Sequence, residues 1–468
     1  MARRMENGPP YDPARSQTPR DRVDRFDDFD EDEHDGRQRR STFGKRGDDA
    51  YGNLDDVVAD PVGHEPSRAR KSDDDLEDAR QVRGDDIELH TEGPSNDGIE
   101  MRTKHPVTQF SKVATQLYTL SWLVFFAIFG TLARLAIQAL TTYPGAPVSF
   151  GVLWANVGGS LVMGFLAEDR KLFRYEWGVA TYDEHLRRAR REGERAGGTT
   201  VDLAAAKKAH LATKKTIPLY VGLATGFCGS FTSFSSFIRD VFLAMSNDLP
   251  GAGGVPSEPR NGGYSFMAML AVTITTVGLS LGALSVGAHL AAALEPITPS
   301  VPFRLGRKIF DPLAVLLGWG GWLAAVLLAI WPAHDAWRGQ ALFSLVFAPL
   351  GCLARYHVSA LLNSRMPAFP LGTFAVNVAG VAVLGACWDM GHAGVGGLVG
   401  CQVLQGVEDG FCGCLTTVST WVAELSALRR RHAYIYGTAS VVAGFSIMVA
   451  IMGGLRWSDG FGPLMCTH

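Results

Sequence analysis

Charge is scarce over most of this chain. Residues 1–112 hold 28 acidic and 19 basic side chains, while the 356 residues that follow hold only 19 acidic and 25 basic. So low a density over so long a stretch suits contact with lipid and argues against a soluble two-domain enzyme. Cysteine is absent from the acidic N-terminal part, and the seven present, at 228, 352, 387, 401, 412, 414 and 466, show no disulfide framework. Cys412 and Cys414 are separated by one residue and lack a second pair or a nearby histidine cluster. They make a poor zinc site and read as small buried thiols. The opening MARRMENGPPYDPARSQTPR has no apolar segment resembling a secretory signal, so the first membrane helix is expected to direct insertion. Neither a sustained positive face nor aromatic platforms accompany the charged runs, so nucleic acid is not an expected partner.

What the first 112 residues do contain is Asp, Arg, Gly, Ser and Pro, in runs such as FDDFDEDEHD and RKSDDDLEDAR. Without an apolar period such a segment cannot bury enough surface to offset ordering entropy, and a disordered, solvated cytosolic tail is expected. Beyond it, uncharged stretches lie at about 115–140, 150–167, 217–246, 263–294, 312–332, 340–362, 371–388, 393–423 and 433–454. Their lengths suit bilayer crossing at helical rise, so nine transmembrane helices are expected; an alternating β-barrel pattern does not fit. Basic residues gather in the loop 169–215, with twelve Lys/Arg against seven Asp/Glu, at Arg304, Arg307 and Lys308, and at Arg429, Arg430 and Arg431. Nine spans put all three groups on the side of the N-terminus, which is then cytosolic, with the C-terminus outside.

The spans repeat. FGTLARL (129–135) matches PLGCLARY (349–356), pairing Arg134 with Arg355, and GVLWANVGG (151–159) matches GTFAVNVAG (372–380), pairing Asn156 with Asn377. Both pairs are 221 residues apart, while GFCGSFTSFSSFIRD (226–240) matches GFCGCLTTVSTWVAE (410–424) at a spacing of 184. Four helices return the chain to the cytosolic side, so the single helix at 312–332 reverses the second copy. The expected fold is an all-α polytopic membrane protein of two inverted four-helix repeats joined by one transmembrane helix. Its parts would be the tail (1–112), the first repeat (113–296), the linker with the reversing helix (297–338), the second repeat (339–455) and an extracellular end (456–468). Gly318, Gly320 and Gly321 suit close packing of the reversing helix.

The third match sets two glycines before a Thr/Ser cluster. In a membrane helix this composition permits a break whose carbonyls and hydroxyls satisfy one another or an ion. In the fourth helices Thr273, Thr275 and Thr276, then Tyr436, Thr438 and Ser440, offer either a polar track or ordinary interhelical hydrogen bonds. Taken in order, the G-x-x-x-R, G-x-x-x-x-N and G-x-x-G-x-x-T-x-F-S-x-F elements resemble the CrcB-like fluoride channel and exporter family in its fused eukaryotic form, over about residues 115–455.

That resemblance implies passive, fluoride-selective export across the plasma membrane by a monomer. By position it implies Asn156 and Asn377 as pore asparagines, Phe234 and Phe237 as the phenylalanines lining the fluoride path, and Arg134 and Arg355 as arginines near the vestibule. It also implies a structural sodium ion at the breaks of the third helices, with Gly229, Thr232, Gly413 and Thr416 as its site. Val418 and Trp421 hold the two phenylalanine positions of the second copy. Valine offers an anion no positive aromatic edge, so two potential paths would not be equivalent. Three rivals are weaker. A proton-coupled carrier would draw on Glu408, Asp409, His334 and His357, which form no repeated constellation. An enzyme built on Cys412 and His432 lacks repeated partners. An adaptor acting through the acidic tail leaves the paired motifs without a role.

Overall fold

The computed structural model describes residues 112–143, 146–148, 150–175, 181–195, 203–249, 259–331 and 338–466. The acidic tail and His334 lie outside the described residues. The elements, in chain order, are α1 (Lys112–Thr141), α2 (Val152–Glu168), α3 (Thr181–Arg195), α4 (Leu203–Lys214), α5 (218–231), α6 (Phe234–Ser246), α7 (Gly262–Leu294), α8 (Phe303–Ile330), α9 (Arg338–Arg365), α10 (Leu371–His392), α11 (397–415), α12 (Ser419–Ala427) and α13 (Arg430–Ser458). No strand occurs among the described residues.

Among the described residues seven segments are long and apolar enough to cross a membrane: α1, Pro218–Ser246 (α5 with α6), α7, α8, α9, α10 and α13. Two of the nine expected spans do not reach that length. α2 has 17 residues, and the stretch expected at 393–423 is a pair of helices, α11 and α12, parted at residues 416–418. The parting falls where the glycine and Thr/Ser motif lies, and the Pro218–Ser246 span breaks at its own copy, at Thr232 and Ser233. Just ahead of each break the helix widens into a π turn, at Gly222–Cys228 and at Val407–Cys412. Such widenings loosen the regular ladder and favour functional sites.

Two ways of packing hold the helices together. α2 and α7 approach backbone to backbone: a methyl group at Gly164 would overlap the Leu284 carbonyl, and one at Gly287 would overlap that of Leu161. α10 and α13 instead meet through side chains, with a methyl at Gly385 reaching the Met448 sulfur at 3.2 Å and Ile451 Cγ2 at 3.3 Å. α8 lies along α1, where Trp122 Nε1 donates to Asp311 Oδ1 at 2.8 Å and Trp319 Nε1 to Ser121 Oγ at 3.0 Å. Of Gly318, Gly320 and Gly321 only the first makes the expected close approach, against the Ser121 carbonyl; Gly320 meets nothing and Gly321 touches only Ile128, at 3.9 Å. The outer faces of α7 and α8 expose Ile274, Val286, Leu316, Leu323 and Leu328, a surface matched to hydrocarbon rather than water.

The cysteine expectation is corrected in one respect. Cys401 at the start of α11 is bonded to Cys466, while Cys228, Cys352, Cys387, Cys412 and Cys414 are free and buried. The partners are 65 residues apart in sequence and meet because the chain folds back after α13, with the Phe461 ring 5.9 Å from that of Trp388 and 5.1 Å from that of His392.

Candidate functional site

The two helix breaks face each other. Thr232 ends α5 in an extended conformation (φ −95°, ψ 150°), and Thr416 ends α11 with nearly the same angles (−95°, 156°). Each threonine hydroxyl first donates back to its own helix, Thr232 to Cys228 O at 3.0 Å and Thr416 to Cys412 O at 2.9 Å. Each then accepts from the other copy: Thr232 Oγ1 takes Ser419 N at 3.1 Å, and Thr416 Oγ1 takes Ser235 N at 3.1 Å. The hydroxyl of one break thus satisfies the orphan amides that start the next helix of the other.

The paired asparagines sit directly beside these breaks. Asn156 Oδ1 accepts from Ser233 N at 2.9 Å, and Asn377 Oδ1 accepts from Thr417 N at 2.9 Å. Their amides donate back to the same residues, to Ser233 O at 3.4 Å and Thr417 O at 3.2 Å. In an unbroken helix Ser233 N and Thr417 N would bond the carbonyls of Gly229 and Gly413. The asparagines take those donors instead. The hydroxyls of Thr232 and Thr416 are taken up by these hydrogen bonds, so of the groups implied for a sodium ion it is the backbone carbonyls at Gly229, Thr232, Gly413 and Thr416 whose chemistry fits a hard monovalent cation.

The paired arginines cross between the copies as well. The Arg355 guanidinium lies over Gly229, where a methyl would collide with it, and donates to Cys414 O and Thr225 O, both at 2.8 Å. Arg134 lies over Gly413 and donates to the Asp409 carbonyl. Both are buried. Simple anchoring in the headgroup layer does not describe them: they brace the breaks, and Arg355 also lines a cavity of about 50 Å³ with Lys215, Thr373, Thr417 and Thr420.

Past the breaks each half packs on the other copy as well as on the fourth helix of its own. α6, carrying Phe234 and Phe237, packs on α10 and α13 from the second copy, while α12 packs on α2 and α7 from the first. Phe234 and Phe237 stand edge to face at 5.7 Å, and the Trp421 ring meets Phe234 at 5.3 Å. Val418 is buried in the same cluster, as are Tyr436 and Met448. Beside this aromatic group lies Glu424, which the sequence reading passed over. Its Oε1 accepts from Thr373 Oγ1 at 2.6 Å and its Oε2 from Tyr436 Oη at 2.7 Å, with Asn363 Nδ2 3.2 Å from the Thr373 hydroxyl. A signal was available, since an acidic residue closes both copies of the third motif, Asp240 and Glu424.

Among the fourth-helix residues, Tyr436 and Ser440 lie on the buried face of α13, with Ser440 Oγ donating to Tyr436 O at 2.8 Å. On α7 the buried positions at the same spacing are Val272, Thr276 and Ser280. Thr273 is off that face, half-buried, and donates to Met269 O. Glu408 and Asp409 are half-buried on the π turn of α11, and His357 packs against Tyr356. No group of three or more His, Cys, Asp or Glu that could hold a metal ion occurs among the described residues.

Comparison with known proteins sets this geometry in a family. The family described as CrcB-like protein, Camphor Resistance (CrcB), matches residues 121–288 and 342–454. The chain is similar to Fluoride export protein 1 of Neurospora crassa, 59% identical over 372 residues, covering 76% of this chain and 70% of that protein. It is similar to Fluoride export protein 1 of Candida albicans, 33% identical over 394 residues, covering 81% of this chain and 92% of that one. A bacterial protein, Fluoride-specific ion channel FluC of Geotalea uraniireducens, is 36% identical over 112 residues, only 24% of this chain but 87% of its own length. No solved structure matches the chain.

Proposed function

The chain belongs to the CrcB family, and from that membership we propose that it exports fluoride passively and selectively through a channel, protecting the cytosol without enzymatic turnover. The carrying observation is the packing past the breaks, which puts Phe234 and Phe237 against α10 and α13 beside Thr373, Glu424 and Tyr436. In this reading the ion enters past Thr373, Thr417 and Thr420, follows the Tyr436 and Ser440 side of α13, and meets the positive edges of Phe234 and Phe237. Each asparagine spends one amide hydrogen on the backbone, leaving the other for the anion. An inside-negative voltage drives the anion outward, by roughly 2.3 kcal/mol per charge for each 100 mV.

The finer architecture belongs to the same proposal. Counting α2 and the α11–α12 pair as spans gives nine, arranged as two inverted four-helix repeats around α8. The N-terminus is then cytosolic, the C-terminus outside, the membrane the plasma membrane and its lipid the surrounding solvent. One chain supplies both repeats and works as a monomer. A sodium ion at the facing breaks, held by oxygens of Gly229, Thr232, Gly413 and Thr416, would supply fixed positive charge between the two halves.

Purified protein in liposomes tests the function. Rapid fluoride efflux with little chloride efflux is expected, and it should fall strongly after Phe234→Ile or Asn377→Ala. Equal passage of both anions, or no fluoride passage, would reject it.

A further inference from the structure

Trp421 holds the place in the second copy that Phe237 holds in the first, so an indole with an N–H to give stands where the other copy has a plain ring. The residue is 1% exposed, and among the described residues none accepts from its Nε1. Other indoles of the fold are served: Trp122 donates at 2.8 Å to Asp311, Trp319 at 3.0 Å to Ser121 and Trp322 at 2.9 Å to Val346 O. A buried indole N–H ordinarily finds such a partner, because leaving a donor unmade destabilises the fold.

The ring stands on the path side of α13. Tyr436, Ser440 and Gly444 follow one another at four-residue steps on the buried face of that helix. A methyl at Gly437 would lie 3.9 Å from Trp421 Cζ2, and one at Gly444 would lie 3.4 Å from Phe234 Cε1. Cζ2 is bonded to the ring carbon that carries the nitrogen, so the N–H edge of the indole is the edge turned to α13. Over the roughly 10 Å of helix between the two glycines, Ser440 is the buried residue. Across the same interval the Trp421 and Phe234 rings meet at 5.3 Å, with their planes 68° apart.

The hydroxyls of this wall have no hydrogen to spare. Tyr436 gives its own to Glu424 Oε2 at 2.7 Å, Thr373 to Glu424 Oε1 at 2.6 Å and Ser440 to Tyr436 O at 2.8 Å. Each hydroxyl has one hydrogen, whereas the indole N–H is a donor still uncommitted.

We propose that the Trp421 indole N–H is a fluoride ligand of the path, donating to the anion as it passes from Ser440 to the edge of Phe234. The proposal rests on the fluoride-channel reading above. Val418 and Trp421 then differ in consequence: the valine leaves its place without a positive edge, while the tryptophan puts a hydrogen-bond donor there. A hydrogen bond to an ion is about twice as strong as a neutral one. Fluoride, the smallest and most basic halide, gains most from a single N–H, so the indole favours it over chloride.

Two replacements isolate the N–H. Trp421→Phe restores the ring of the first copy without the donor, and β-(3-benzothienyl)alanine at that position keeps the indole's size with sulfur in place of the N–H. In liposomes at fluoride well below half-saturation, each should slow fluoride efflux roughly tenfold and leave chloride efflux within about twofold of wild type. The contact itself is read by nuclear magnetic resonance of detergent-solubilised protein labelled at the indole nitrogens. The indole signal missing from Trp421→Phe should move downfield as sodium fluoride is added to the wild type and stay in place with sodium chloride. Should Trp421→Phe not fold, the sulfur analogue supplies both the flux comparison and the assignment. A Trp421 signal blind to fluoride, or wild-type efflux in the sulfur analogue, would overturn the proposal. A wild type that carries no fluoride would instead overturn the function itself.

Discussion

In the first copy of the repeat the acidic residue closing the third motif, Asp240, is held by Arg239 of its own helix at 3.1 Å. In the second copy Glu424 follows Ala423 and is bonded by the hydroxyls of Thr373 and Tyr436. The position of Thr373 is Val152 in the first copy, and on the buried face of α7 Val272 stands where α13 has Tyr436. The helices diverge in the same sense, α2 and α7 meeting by glycine contact where α10 and α13 keep Met448 between them. Three buried hydroxyls in the glycine-packed region, on Ser160, Thr276 and Ser280, have no hydrogen-bond partner. The difference teaches where duplication constrains the chain. Each break is held by the asparagine of its own copy and the threonine hydroxyl of the other, so Thr232, Thr416, Asn156 and Asn377 stay matched, whereas the walls on either side diverge independently. The wall formed by α6, α10 and α13 carries the hydroxyls of Thr373 and Tyr436 at positions that are Val152 and Val272 in the first copy.

The largest expected effect that would sharpen this comparison is on flux. Tyr436→Phe removes a hydrogen bond to a buried carboxylate, an interaction of about 1.5–3 kcal/mol, so fluoride efflux should fall roughly 10- to 100-fold. Thr276→Ala, one turn past Val272 on the buried face of α7, should change it less than about twofold. Equal losses in the liposome assay would break the asymmetry. Next comes stability. Gly164→Ala or Gly287→Ala forces a methyl into a backbone carbonyl and should cost about 1–3 kcal/mol, lowering the melting temperature in detergent. Gly385→Ala, meeting the side chains of Met448 and Ile451 and no backbone atom, should cost less than about 1 kcal/mol. The smallest effect on flux concerns the Cys401–Cys466 bond, which lies beside the second copy alone. Cys466→Ser should expose residues after Ser458 to protease while leaving efflux within about twofold, since the bond touches none of the path residues.

Much of this was legible as pattern. The matched R, N and G-x-x-G-x-x-T elements located every residue at the breaks, because a duplicated constraint leaves two traces in one chain. Glu424 was harder to see. Its motif position was visible, but Thr373 lies 51 residues upstream and Tyr436 lies 12 downstream, on different helices. Thr273 was placed with Tyr436 by composition, and helical phase puts Val272 there instead. The disulfide escaped for a similar reason, since nothing local joins Cys401 to a segment that returns from the far end of α13.

The sequence by itself determined the membrane class, the duplication, the sites of the helix breaks and the unequal aromatic positions, since these depend on composition, periodicity and residue identity along a single helix. Only the tertiary structure decided which halves face each other. It crosses Arg134 onto Gly413 and Arg355 onto Gly229, and sets Phe234 against helices of the other copy. The physical reason is that a broken helix leaves amides and carbonyls that its own chain direction cannot satisfy, and in this fold their partners come from distant helices, the asparagine of the same copy and the threonine and arginine of the opposite one.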